Sequence, residues 1–201
     1  MKYINKDGDI FTKQDLKKLH KNTSIKKDWD QDVLDFLGVE EIVETPRPEN
    51  TNPLIDFEPG EPVQVDGVWE STWTQKYTFD SVSRAQECLI GLIKNKRQQA
   101  IGGGVEYTFS DGAGTIQTDS ESIRNLQACA SAAQMLPEDA YMVFRDKENF
   151  NHVVTPAEMK TLSLAVFENA SRIYADSWEL IALIGELNTM DELVEIVKDM
   201  K

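Results

Sequence analysis

Histidine is scarce in this chain, and that scarcity excludes most site chemistry. His20 and His152 are the only two, far apart and in different contexts. With Cys88 and Cys129 they form no His/Cys/carboxylate spacing of the zinc-binding kind. His152 stands in a polar turn and reads as a surface residue. A Gly-x-Ser-x-Gly nucleophile elbow is absent. Gly102-Gly103-Gly104 is no phosphate loop, because it leaves a helical pattern and no Gly-Lys-Ser/Thr follows. Asp7-Gly8-Asp9 begins like a calcium loop, but Phe11 and Leu16 fall at ligand positions and the closing Glu is missing. Carboxylate pairs such as Glu40-Glu41 are too common in an acidic chain to signal acid/base work. The expectation is a protein without catalytic, cofactor-binding or metal site, and not an enzyme.

Bulk composition narrows the partners. The chain has 201 residues, room for one or two domains. It is 40% hydrophobic and 28% charged, as globular proteins are. Its formal net charge of −14 opposes phosphate-backbone and anionic-membrane binding, which need Lys and Arg. The Lys-rich start (Lys13, Lys17, Lys18, Lys21, Lys26, Lys27) lacks interleaved aromatics for nucleic-acid stacking and reads as a solvated face. Neither nucleic acid nor membrane is expected as a partner. Cys88 and Cys129 lie in apolar helical contexts and read as buried free thiols. The first residues carry no apolar signal region, so synthesis and folding in a cytoplasm are expected.

The elements follow from caps and periodicity. Tyr3-Ile4 and Ile10-Phe11 flank an Asp7-Gly8 turn and predict a small hairpin. Thr12 with Asp15 caps a first helix; a second fits 30–37 and stops at Gly38. Helices are predicted over 81–101, over 119–135 (Thr118 and Glu121 as a capping box), from Thr155-Pro156 to about Leu187, and over 190–200 (Thr189 and Glu192). Hairpins are predicted at 63–69, at 105–117 through Asp111-Gly112, and from Tyr141–Phe144 to Val153-Val154. The fold class is therefore α+β: short antiparallel β-hairpins packed on helices, with a long C-terminal helix.

Two features suit a partner. Pro46, Pro48, Pro53, Pro59 and Pro62 block helix and central-strand formation, so 44–62 reads as an extended acidic arm. It divides a hairpin/helix region, 1–43, from an α+β module, 63–201. Beyond it, one strand running on from Val68 places Trp69, Trp73, Tyr77 and Phe79 on a single face. That face is either a one-sided core or a partner-binding surface. The stripe Leu162, Val166, Ile173, Leu180, Ile184 and Leu187 packs within the monomer or zips three copies.

The segment from about Arg97 to Leu187 resembles a bacteriophage tail-associated domain of unknown function. The residues that carry the likeness are Tyr107 and Phe109, Gln117-Thr118-Asp119, Ser122, Asn125-Leu126, Ala128, Phe144, Asn149, Val154-Thr155 and Glu158-Met159. Phe144 stands where relatives commonly have Trp. The leading region is similar through Gly60-Glu61-Pro62-Val63 and Asp66-Gly67-Val68-Trp69. The resemblance implies a virion tail protein associated with tail-fibre or baseplate proteins, and supplies no catalytic residues. Trp69, Trp73, Tyr77, Pro46, Pro48 and Pro53 are the candidate partner contacts. A dissociable fibre-assembly chaperone is the alternative, an enzyme with an unrecognised site a remote one, and a homo-oligomer of tail symmetry is compatible with either of the first two.

Overall fold

The computed structural model describes residues 1–200. Eleven strands and six helices are described, in the order β1 (Lys2–Asn5), β2 (Ile10–Thr12), α1 (Lys13–Leu19), α2 (Gln31–Leu37), β3 (Val39–Val43), β4 (Ile55–Pro59), β5 (Val63–Val65), β6 (Val68–Glu70), β7 (Trp73–Tyr77), α3 (Val82–Gly102), β8 (Val105–Phe109), β9 (Gly112–Ile116), α4 (Ser120–Ala133), β10 (Met142–Arg145), β11 (Asn151–Val154), α5 (Pro156–Glu186) and α6 (Met190–Asp199). The fold is α+β, with antiparallel hairpins and a long helix near the C-terminus, as the capping pattern requires. None of the described helices is long and apolar enough to cross a membrane.

Two compact units form. One holds Met1–Asp80 and, among the described residues, 194–200; the other holds Ser81–Leu193. The division falls at Asp80, not within the proline segment 44–62. The reason is strand pairing: β4, inside the proposed arm, pairs antiparallel with β7, so residues on both sides of the prolines belong to one unit.

In the first unit a five-stranded sheet runs β2-β1-β3-β6-β5. Gly8, at φ 89°, turns β1 into β2. Thr12 and Asp15 form the expected reciprocal cap on α1. Asp30 caps α2, and Gly38 ends it in the left-handed conformation. Tyr3, Leu16, Leu34 and Val39 are buried together, with Phe11, Trp29 and Leu37 against them. Nothing local in the sequence announces β3; its parallel pairing with β6 (Ile42 opposite Trp69) joins segments far apart in sequence.

In the second unit α3 and the last half of α5 pack closely. Gln86 of α3 donates its amide to the carbonyls of Ile184 (3.0 Å), which also accepts from the Leu187 amide, and of Leu187 (2.9 Å), at the end of α5. Arg97 lies over the Tyr174 ring at 4.7 Å. Phe109, Ile116, Leu126, Val154, Met159 and Leu162 form the core between the two hairpins, α4 and the first half of α5. The Leu162, Val166 and Ile184 stripe faces inward, so it packs within the chain. Cys88 and Cys129 are free and half-buried.

α4 starts one residue later than expected. The Thr118 hydroxyl donates to the Ile101 carbonyl instead of capping. Asp119 takes the cap, accepting from the amides of Glu121 and Ser122, both at 3.0 Å.

Candidate functional site

The aromatics foreseen as partner contacts do not lie on one continuous strand. The chain breaks strand structure at Ser71-Thr72, between β6 and β7. Ser71 donates its amide to Val43, and Thr72 donates its hydroxyl to the Glu61 carbonyl at 2.6 Å. Here the chain passes from the five-stranded sheet to the β4–β7 pair. Trp69 therefore sits in the first, opposite Gln64 and Ile42. Trp73 and Tyr77 sit in the second, opposite Pro59 and Ile55. Phe79 lies beyond the end of β7. Gly60 permits the crossing, because a Cβ there would collide with the Thr72 hydroxyl.

Each aromatic then has its own setting. Trp69 is half-buried on a mixed cleft with Ile4, Val39, Glu40 and Gln64. Trp73 is half-buried too; its indole donates to the Thr45 carbonyl at 3.1 Å, and Arg47 stands 5.8 Å from its ring. Tyr77 is exposed. Pro46, Pro48 and Pro53 are exposed. The segment around them is fixed at several points: Thr45 bonds Ser71, Arg47 pairs with Asp56, and Asn52 donates to the Val194 carbonyl at 3.0 Å. Leu54, inside the arm, is wholly buried.

The densest polar cluster lies elsewhere and corrects the reading of His152. β11 alternates outward and inward, which turns His152 and Val154 into the core. His152 is 1% exposed, not a surface residue. Its Nδ1 is 2.6 Å from Asp111 Oδ1 and its Nε2 is 3.2 Å from Asp146 Oδ2. Its ring stacks on Phe109 at 3.7 Å between centroids, with 10° between planes, and meets the edge of Phe150. Both carboxylates are also held by backbone. Val153 donates its amide to Asp111 at 3.2 Å, and Phe150 donates to Asp146 at 2.7 Å.

Charge decides the protonation state. Burial pushes His152 down, but hydrogen bonds and attraction from Asp111 and Asp146 outweigh it and raise its pKa above the usual imidazole value. The His152 bond holds Asp111 below the usual carboxylate range. Burial pushes Asp146 up, yet the Phe150 amide and His152 together bring it below that range. Each ring nitrogen faces a carboxylate oxygen, an arrangement that favours the doubly protonated ring. In that form the ring has no lone pair for a base or a metal ligand. The two acids approach opposite sides of the ring, so they do not converge on one point. Among the described residues no group of three or more His, Cys, Asp or Glu is arranged to hold a metal ion.

What the cluster does is fasten. Asp111 comes from the β8–β9 turn, Asp146 from the β10–β11 turn and His152 from β11, so it ties two hairpins that share no backbone ladder. Lys147 and Glu148 add to the same seam: Lys147 donates its amide to Thr115 and its ammonium to Gly103, and Thr115 donates to Glu148. One signal for His152 was available. Placing Val154 in the core puts position 152 on the same strand face by period two. The Asp partners, 41 and 6 residues away, carry no local signature.

The cluster defines a small α+β module of two hairpins clamped over a long helix. The Domain of unknown function (DUF4376) family matches residues 84–198, more than half the chain, and the protein belongs to that family. Asp111, Asp146 and His152 all lie within the match. No curated protein and no solved structure matches the chain.

Proposed function

We propose that this protein is a non-enzymatic bacteriophage tail component, a structural or adaptor protein that works by burying surface against tail-fibre or baseplate proteins. The context comes from the resemblance of residues 97–187 to tail-associated domains. The observation that carries the mode of action is the apolar surface the folded chain leaves open. Tyr141 and Val143 at β10, and Phe150 and Val153 at β11, are each more than half exposed. Large aromatic and aliphatic side chains left in water at that density suit partner contact, where Trp and Tyr dominate binding energy. The exposed prolines and Tyr77 of the first unit add a second contact region. The buried polar cluster, by contrast, has every strong donor and acceptor engaged, which suits a scaffold.

Quantitative mass spectrometry of purified particles of the encoding phage tests this. The expected result is a fixed copy number relative to the major tail protein, a multiple of three or six. Abundance in the infected lysate with absence from particles would replace this reading with a dissociable assembly chaperone.

A further inference from the structure

Helix α5 carries two apolar stripes, one buried and one largely exposed, with Tyr174 and Ile181 of the second half-buried. The first faces the core through Leu162, Val166 and Ile184. The second is Leu164, Phe167, Ser171, Tyr174, Trp178 and Ile181. These alternate steps of three and four residues, the spacing of a coiled-coil seam. Leu164, Phe167 and Trp178 stand 52%, 67% and 61% exposed. A helix that is apolar on opposite faces is normally covered on both.

We infer that this second stripe is a self-association surface, on which two copies of the chain pair their α5 helices antiparallel about a twofold axis near Ser171. Three observations select this occupant. First, placing Ser171 on the axis sets position 164 opposite position 178 of the second copy. A groove of ≈490 Å³ lined by Ile123, Gln127, Leu164 and Phe167, among others, opens at that level, and the exposed Trp178 indole is the side chain that would enter it. The fit is made twice, as an isologous contact demands.

Second, the charges suit this direction only. Lys160 lies at the start of the stripe and Glu179 and Glu186 near its end, all exposed. Antiparallel pairing brings Lys160 of one copy between Glu179 and Glu186 of the other. Parallel pairing sets Lys160 against Lys160 and Glu179 against Glu179. Opposed helix dipoles favour the same direction.

Third, the area is that of a weak, specific pair. The same spacing continues through Lys160 to Ala157 and on to Gly185, so this face of the helix is about 42 Å long at 1.5 Å per residue, and about 11 Å wide. Two such faces enclose roughly 900 Å², near the lower bound of specific interfaces, about 1,000 Å². The groove walls of α4 add to this. The dimer should therefore assemble at micromolar concentrations, not below.

The test is sedimentation velocity of the full chain from about 1 μM to about 300 μM, a range set by that affinity class. A concentration-dependent rise to twice the monomer mass is expected. W178A should raise the dissociation constant at least about 10-fold, as loss of a central Trp does. L164E, which alters the groove instead of the side chain entering it, should do the same. Far-ultraviolet circular dichroism checks that both variants stay folded. K160E should weaken the dimer about 5-fold, and E186K in that background should restore it. A monomer throughout, a threefold mass, a dimer indifferent to W178A and L164E, or tightening by K160E would each overturn the inference. Particle copy number is a separate measurement, so the proposed tail role and this pairing can fail independently.

Discussion

Gly114 lies directly beneath His152. A Cβ at position 114 would stand 2.9 Å from His152 Nε2 and 2.6 Å from Asp146 Oδ2, closer than real Cβ contacts come. The β9 backbone is thus the floor on which the charged cluster rests.

Gly114→Ala should therefore push the cluster apart, with a loss of about 1–3 kcal/mol, the range for overpacking a core. Gly91 is the control. It lies inside α3 with open space where a Cβ would go. Gly91→Ala should stabilise by about 0.5–1 kcal/mol through helix propensity. Thermal unfolding of the two variants should move in opposite directions.

The cluster sets a pH window for stability. His152 has a folded pKa above its unfolded value, so its contribution is complete below about pH 6.5 and is lost as pH rises through the folded value. Asp111 and Asp146 have folded values below 3.8, so theirs is present above about pH 3.8 and lost on acidification through those lower values. His152→Gln should lower stability by about 3 kcal/mol between these limits, since it leaves the buried Asp146 carboxylate without its cation. The gap between wild type and variant should narrow toward pH 9. A melting series from pH 3 to pH 9 on both proteins checks the sign.

Trp73 and Tyr77 share a strand but serve different ends. The Trp73 indole holds the Thr45 carbonyl, so Trp73→Phe should cost about 1 kcal/mol and loosen the start of the proline segment. Tyr77→Ala should cost less, because the ring is exposed. Tyr77 is accordingly the cleaner probe of partner binding. Its substitution should weaken capture of a tail partner while the melting temperature stays within about 2 °C of wild type.

Gln86 closes the end of α5 from outside the helix. Gln86→Ala leaves the Ile184 and Leu187 carbonyls without that donor, at a cost of about 1–2 kcal/mol. Hydrogen exchange should accelerate at the last turn of α5, with little change at Met159 and Leu162.

What the sequence made legible was what it encodes locally. Thr12 with Asp15, Thr155-Pro156 with Glu158, and Thr189 with Glu192 each bond within three residues, and each opens a helix where expected. The Asp66-Gly67 hairpin is of the same kind, both residues having positive φ. Features that depend on distant partners differ. Thr118 is diverted from capping by Ile101, 17 residues earlier. β4 forms in spite of Pro59 because Pro59 is its last residue, in a sheet of only two strands. The aromatic run from Trp69 to Tyr77 divides between two sheets because Ser71 and Thr72 are held by Val43 and Glu61. His152 reads as a surface residue in the sequence because its anions come from two other turns.

The chain leaves the first unit at Asp80 and rejoins it at Val194. On a ribosome, everything the second unit needs has emerged before the last piece of the first. The Asn52–Val194 bond closes across 142 residues. The second unit can fold before the first unit, though begun first, receives its last helical residues.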